Sequence, residues 1–588
     1  MKQLDPSLGN TDNMYILGLN AYHGDSSACI YRNAELLAAT EEERILRVKH
    51  WAGLPVEAVR FCLQEAGIGL QDVDFITVSR DPIAKMGQKA AYALRSGVLF
   101  RAVRDRARNA FSIRSLKKDL AAAFGLEEKQ VKARMQYIEH HRSHLASAFF
   151  TSPFEESALL SVDGMGDFSS VMRGVGKGNR IEVMDSISYP HSLGIFYTAC
   201  TQYLGFEHYG DEYKVMGLAP YGEPKYVDRL RDVVLYRPEG LFELNPKYFK
   251  HFKSGVAMSW SGGSPHVEPL YTDALVQALG PVRGKDEYLN QHHKDVAASV
   301  QRLCEEVIFR MAQDLYEKTG LKNLCLAGGV AQNSVANGKL TDETGFEHLY
   351  VPPAGHDAGT ATGSALYLYH HKLRNTRPMF RHQAYTGAQF TDEHVEALLR
   401  QEGIVYQKLP DEELLDLVAG YLADGAVVGW FQGRAEFGPR ALGNRSILVH
   451  PARPDAKDLL NDKIKRREGF RPFAPSILEE AVADYFEKAD PVPFMEKVYR
   501  IKAEKRSLIP AVTHVDGTGR LQTVSVQDNP RYHALIRRFA DKTGVPILLN
   551  TSFNENEPIV NTPVQALACY LRTKMDVLVL QNCIIIRK

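Results

Sequence analysis

His140 and His144 stand four apart in EHHRSHLASAFFTSPF, a stretch patterned as a helix. On a helix that spacing puts both imidazoles on one face, close enough to grip one ion, while His141 points about 100° away. Packing of the pair for structure alone is the competing account. Two carboxylates bear on the choice. Asp163 ends an apolar strand in the Gly-rich turn DGMGD, and Asp357 sits in PPAGHDAG just before a helix, so both are expected at loop tips over a cleft. A turn cap for Asp163 and a helix N-cap for Asp357 are the plainer alternatives. A mixed imidazole and carboxylate set suits iron, manganese or zinc better than magnesium, and an open position would admit a substrate oxygen.

Three further stretches offer chemistry. In LAGGVAQN, Gly328 and Gly329 divide a strand from a helix, which lets backbone approach a ligand. The helix start near Asn333 offers N–H groups to a phosphate or an adenosine hydroxyl. No GK[ST] follows, so this is no Walker loop, and tight strand–helix packing would explain two glycines equally well. Ten Lys or Arg residues lie between Trp430 and Arg471, interleaved with Gly, Pro and Phe. That pattern suggests shaped loops with fixed guanidinium forks for a compact phosphate, against a nucleic-acid groove or a solvated face. LLNTSFNENEP adds the amide of Asn550 and the hydroxyl of Ser552 at a strand end, where α/β sheets place ligands. EEERILRVKHW carries Lys49 beside His50; helix-capping charge is the plain reading, and neutralisation of a leaving phosphate the functional one.

Elements must carry these groups. Residues 14–40 alternate apolar runs with short polar turns as three successive strands, and the same layout returns at 157–184. The turns of the two copies, HGDSS at 23–27 and DGMGD at 163–167, predict a duplicated α/β architecture whose turns face one cleft. LPVEAVRFCLQEAG and the long run from His292 to Gly320 read as helices, and the basic stretch 101–118 as a solvated helix face without a role. Hydrophobic periodicity lapses at about 374–388. A first domain is therefore expected over 1–375 and a second α/β domain over 385–588, with strands AVVGWF, SILVH and VPILLN.

Composition bounds the rest. The 588 residues carry 71 basic and 71 acidic side chains, so no global charge draws the chain to nucleic acid or to a membrane. The polar start MKQLDPSLGNTDNM lacks a signal-peptide core and no apolar run is long enough to span a bilayer, which leads to the expectation of a soluble cytoplasmic protein. Seven scattered cysteines without a CxxC pair read as reduced core thiols.

Taken in order, EEERxxRxKH, HHxxHxASAFxxSPF, VDGxGD, YGDEYKVMGLAPYG, LAGGVAxNxxANG, GWFxGRxEFGPRALGNRS, KxREGFRPFAPS and NTSFNxxEPIV make the chain resemble the NodU/CmcH carbamoyltransferases from Tyr15 to the C-terminus. The resemblance implies a Kae1-like N-terminal domain of the actin and Hsp70 ATPase class, followed by a YrdC-like C-terminal domain. It implies two steps: carbamoyl phosphate and ATP give carbamoyl adenylate, then the carbamoyl group passes to a hydroxyl of a small natural product. By that resemblance the metal ligands are His140, His144, Asp163 and Asp357, with iron first and manganese or zinc as alternatives; magnesium would accompany ATP. His23 matches the proton acceptor, and Arg434, Arg440, Lys463, Arg467 and Arg471 match the carbamoyl phosphate pocket. Beside them the residue reading keeps Lys49 as a catalytic cation, Gly328, Gly329 and Asn333 for the nucleotide, and Asn550 and Ser552 for carbamoyl phosphate.

Three positions depart from the family pattern: HGDS stands where HDAS is common, and His356 and Asn556 stand where Gly is usual. The partners implied are ATP, carbamoyl phosphate and a hydroxylated acceptor, with no nucleic acid or membrane; a homodimer is left open. The rivals are an actin-fold kinase or ATPase, a tRNA-threonylcarbamoylating enzyme and a non-catalytic sensor.

Overall fold

The computed structural model describes residues 13–96, 115–256, 258–261, 263–379 and 383–587, so the basic stretch 101–118 falls mostly outside the described residues. Two compact units divide the chain, one built from 1–336 and 340–382, the other from 337–339 and 383–588.

The first unit holds two five-stranded sheets. β1 (Tyr15–Asn20), β2 (Ser27–Arg32) and β3 (Glu35–Glu41) form an antiparallel meander, and β4 (Phe75–Val78) and β5 (Arg134–Tyr137) add in parallel beside β1. β6 (Glu156–Gly166), β7 (Ser169–Lys177) and β8 (Arg180–Ser188) repeat the meander, and β9 (Asn323–Ala327) and β10 (His348–Tyr350) repeat the parallel additions. Strand order is 3-2-1-4-5 in one sheet and 8-7-6-9-10 in the other, so the duplication expected from the turns recurs in the hydrogen bonding. The run ALLSV in β6 is buried throughout because both faces of this strand are covered, and a strand buried on both faces reads as a continuous apolar run.

Five helices frame the cleft. They are α1 (His140–Phe149), α2 (Leu193–Tyr203), α3 (Gln291–Thr319), α4 (Ser334–Glu343) and α5 (Thr360–Leu366). The Asn290 side chain accepts the His293 N–H to start α3, and Gly320 ends it in the left-handed region at φ 65°. α5 is built of small residues, TATGSAL, and this lets it lie against α1. A Cβ at Gly363 would collide with the Ser143 carbonyl, and one at Gly18 of β1 with the Ala361 carbonyl. Glycine at both places permits an approach that brings the segment before α5, with Asp357, against the start of α1, with His140.

The second unit is an eight-stranded mixed sheet. Its strands are β11 (Gln407–Lys408), β12 (Val428–Phe431), β13 (Arg445–Val449), β14 (Ala474–Leu478), β15 (Gln522–Val524), β16 (Ile547–Ser552), β17 (Val577–Leu580) and β18 (Cys583–Ile586), in the order 11-18-17-12-13-16-14-15. Trp430, Leu448 and Leu548 face one core with helices Asp411–Ala423 and Pro530–Thr543, whereas Phe431, Ile447 and Leu549 face the other, as the two-residue strand period requires. Sequence patterning identified β12, β13 and β16. It missed β14, whose APSIL follows the Pro-containing basic loop without a break, and the C-terminal pair β17 and β18. All seven cysteines are free and buried. Among the described residues no helix is long and apolar enough to cross a membrane.

Candidate functional site

α1 starts directly after β5 and carries His140 in its first turn. Glu139 caps it by accepting the Arg142 N–H at 3.0 Å, and Asp167 accepts the His140 N–H at 2.9 Å. Asp167 and the following Phe168 occupy the left-handed region, at φ 48° and 72°, so the DGMGD turn folds back over the helix start. Gly166 lies flat against the His140 ring, and a Cβ there would fall inside the imidazole. The turn is glycine-rich for a steric reason that the sequence alone does not disclose.

Four of the expected residues converge. His140 Nε2 lies 3.3 Å from Asp163 Oδ2 and 3.5 Å from Asp357 Oδ1, and His144 Nε2 lies 3.3 Å from Asp357 Oδ1 and 4.0 Å from Asp163 Oδ2. The two Nε2 atoms are 3.1 Å apart. One ligand atom from each of the four side chains falls within 4.8 Å of all the others, and all four residues are buried. The other oxygen of Asp163 accepts the Gly329 N–H at 2.8 Å, so the turn-cap role and the ligand role fall on separate oxygens of one side chain. Asp357 caps no helix with its side chain: His356 occupies the N-cap position, and Asp357 opens the short turn that leads into α5. His141 is turned to Ser161, 2.7 Å from Nδ1 to Oγ.

The charges are tightly coupled. Burial and the neighbouring Asp357 push Asp163 upward, but His140 and His144 outweigh them and hold it at about 2. Burial likewise raises Asp357, yet His23, His140 and His144 hold it well below the carboxylate range. Burial alone would lower His140; the hydrogen bond to Asp163 and the neighbouring Asp357 push it well above the usual imidazole value. In His144 burial wins over the nearby Asp357, and it stays low. Two Nε2 atoms at this separation cannot both carry a proton aimed at the other.

His23 Nδ1 approaches Asp357 Oδ2 to 2.6 Å. The two side chains meet as a buried ion-pair contact, without a hydrogen bond of good geometry at Nδ1 among the described residues. Lys49 lies exposed on the turn after the first short helix, next to His50. Gly328, at φ 100°, packs so tightly on the Val162 backbone that no Cβ fits, and the Gly329 N–H is the one taken by Asp163. Asn333 caps α4 through the Ala336 N–H and exchanges hydrogen bonds with Gln301. The glycine turn and the histidine pair, read separately from the sequence, are therefore neighbours.

In the second unit the basic residues sort into two groups. Arg434 donates to the Gly387 and Thr386 carbonyls and braces that loop. Arg440, Arg467 and Arg471 instead converge on a residue that sequence reading passed over, Arg520: burial depresses its guanidinium well below the usual range, and the three like charges push the same way. Lys465, also passed over, is 1% exposed and donates to the Ser552 carbonyl, to Ser552 Oγ at 3.2 Å and to Asn554 Oδ1 at 2.7 Å. Burial, then Arg467 and Arg471, hold its ammonium well below normal. Asn550 donates to the Ala441 carbonyl, to Ser476 Oγ and to Gln522 Oε1, and shares a strand face with Ser552. The side chain of Lys463 lies outside the described residues. Arg520 left little trace in the sequence, because it stands alone in DGTGRLQTV; its only mark is a single cation between a Gly turn and a strand.

Comparison with known proteins gives the family. Residues 15–366 match the family model described as carbamoyltransferase N-terminus, and residues 419–587 the one described as carbamoyltransferase C-terminus. Protein sll1178 of Synechocystis sp. is 42% identical over 97% of this chain and 96% of its own length. Nodulation protein NolNO of Sinorhizobium fredii is 40% identical over 96% of this chain and 79% of its own, and NolO of Bradyrhizobium diazoefficiens 42% over 75% and 77%. Among solved structures, (R)-2-hydroxyglutaryl-CoA dehydratase component A of Acidaminococcus fermentans superposes with a TM-score of 0.33 at 15% identity over 62% of this chain and 100% of its own, too slight a likeness to argue from.

Proposed function

The chain belongs to the carbamoyltransferase family and is a carbamoyltransferase, and from that premise we propose that it moves the carbamoyl group of carbamoyl phosphate, by way of an adenylate, to a hydroxyl of a small natural product. The phosphate leaves carbamoyl phosphate as water adds; an oxygen of the resulting carbamate attacks the α-phosphorus of ATP and pyrophosphate leaves. The acceptor hydroxyl then attacks the carbamoyl carbon, AMP leaves, and the hydroxyl proton passes to His23 Nε2. On this reading the second unit is the YrdC-like one. Its Arg440, Arg467, Arg471 and Arg520 are the cations, and Ser552 and Asn550 the neutral groups, that hold carbamoyl phosphate, with Lys465 fixing the Ser552–Asn554 segment beside them. A cluster of mutually repelling guanidinium groups is relieved by a dianion, which is what supports the assignment.

The single observation that carries the transfer step is the convergence of His140, His144, Asp163 and Asp357 beside His23. The donor set fits a cation. Both Nε2 atoms and two carboxylates face one point, and a divalent ion would balance the two acids. Asp357 Oδ1 is a buried acceptor with no hydrogen-bond donor of good geometry among the described residues. Iron, manganese or zinc held there would supply Lewis acidity toward a carbonyl or phosphoryl oxygen. The residues around it do the remaining work: Asp357 fixes the His23 ring, Gly329 fixes Asp163, and Lys49 offers a charge to the departing AMP. Gly328 and Gly329 would meet the nucleotide, with Asn333 holding the helix behind them.

His140→Ala should abolish transfer while pyrophosphate release from carbamoyl phosphate and ATP survives within about tenfold. Formation of ADP in place of AMP and pyrophosphate would point to a kinase and overturn the reading. So would turnover independent of carbamoyl phosphate.

A further inference from the structure

One ion pair in the first unit is used neither by the four-ligand cluster nor by the anion site. His50 Nδ1 lies 2.7 Å from Asp25 Oδ1, and Glu43 Oε2 accepts the His50 N–H at 2.8 Å. Both partners sit in the left-handed region, Asp25 at φ 56° and His50 at φ 54°, a conformation that few residues other than Gly adopt and that Asp and His enter more readily than most. Asn20 Nδ2 donates to the Gly24 and Asp25 carbonyls and keeps the first turn in shape. Backbone hydrogen bonds from Ser26 to Trp51 and from Tyr22 to Gly53 lay the second turn alongside it.

A third loop locks in. The Tyr209 ring stands edge-on to the His50 ring at 5.4 Å. A Cβ at Gly24 would meet the Tyr209 hydroxyl at 2.6 Å, and one at Gly210 would collide with the His50 ring. The charged groups acting on the pair come from every side: Glu43 and Lys49 on the His50 turn, and His356 and Asp357 facing Asp25. The two turns joined by the pair are those that carry His23, two residues before Asp25, and Lys49, the neighbour of His50. Asp25 and Gly24 are also the two residues at which this turn departs from the family's pattern.

We infer that the His50–Asp25 ion pair is a positioning device that sets His23 and Lys49 against each other for the transfer step, with Tyr209 and Gly210 holding it closed from the loop before the helix that starts at Glu212. The inference rests on the transfer reading above. Left-handed backbone at both partners is kept in place by these surrounding contacts, and the two turns so fixed are the ones that carry the side chains assigned to chemistry.

The test uses the full-length metal-loaded chain with hydroxylamine as the acceptor. Its nitrogen attacks the carbamoyl carbon, AMP leaves, and the proton lost passes to His23, giving hydroxyurea; His23→Ala supplies the background rate. Asp25→Asn and His50→Gln should each lower the maximal rate of hydroxyurea formation about tenfold, with the KM for hydroxylamine, metal content and pyrophosphate release within about twofold of the parent. Because the two residues act as one unit, the double variant should be no slower than either single one. Unchanged rates, additive losses, or parallel loss of pyrophosphate release would each overturn the inference. A parent enzyme that releases pyrophosphate but yields no hydroxyurea above background would instead overturn the transfer reading itself.

Discussion

The two units solve opposite electrostatic problems. In the first, two acids and two imidazoles of opposite sign meet in a buried cluster and attract one another before any ligand arrives. In the second, Arg440, Arg467, Arg471, Arg520 and Lys465 share one sign, and two of them are driven far below their usual proton affinity. A pocket of mixed sign is held by geometry; a pocket of single sign is completed by what binds in it. The first should therefore be sensitive to sub-ångström displacement, and the second to anion concentration.

The sharpest way to break that contrast is Gly166→Ala. The added methyl has no room beside His140, so the ring must move. Metal retention should fail and transfer should fall on the order of a hundredfold or more, while pyrophosphate release changes little. Arg520→Met attacks the other pole. It should raise the KM for carbamoyl phosphate about tenfold, a loss of about 1.4 kcal/mol, and leave the melting midpoint unchanged or higher, since a buried like-charged group has been removed. Inorganic phosphate should stabilise the parent and fail to stabilise this variant in a thermal melt. A destabilised Arg520→Met protein would mean that the cluster is held by protein contacts after all.

The smallest effect concerns the His50–Asp25 pair, which lies between these extremes as a single satisfied ion pair. Burial lowers His50, but Asp25 outweighs it and pushes the imidazole up to about 9; Asp25 in turn is held low by His50 against its own burial. The histidine contribution is complete below its unfolded value of about 6.5 and is lost as pH rises through about 9. The carboxylate contribution is present above its unfolded value and lost as pH falls through its lowered one. His50→Gln should therefore cost most, about 1–2 kcal/mol, near pH 6, with the difference from the parent closing above about pH 9. Melts across that window check it; a gap that widens with pH would contradict the pairing.

Much of this was legible before any coordinates. The strand meanders announced themselves because apolar runs broken by Gly-Asp turns have one economical folding, and the i, i+4 histidines because a helix leaves them no other arrangement. Lys465 and Arg520 were not legible, since their roles depend on strand pairing across dozens of residues: Lys465 is set by the carbonyls of Ser552 and Asn554, and Arg520 by arginines at least 49 positions away. Arg434 shows the converse. It lies in the basic stretch between Trp430 and Arg471, yet its guanidinium donates to two carbonyls.

Asp163 reaches in two directions at once, through one oxygen to the imidazoles and through the other to the amide of Gly329. A carboxylate is a rigid plane that turns about one bond, so whatever displaces that amide also re-aims the opposite oxygen. News of an occupant at the glycine turn needs no relay of helices to reach the histidines. A lever three atoms long is enough.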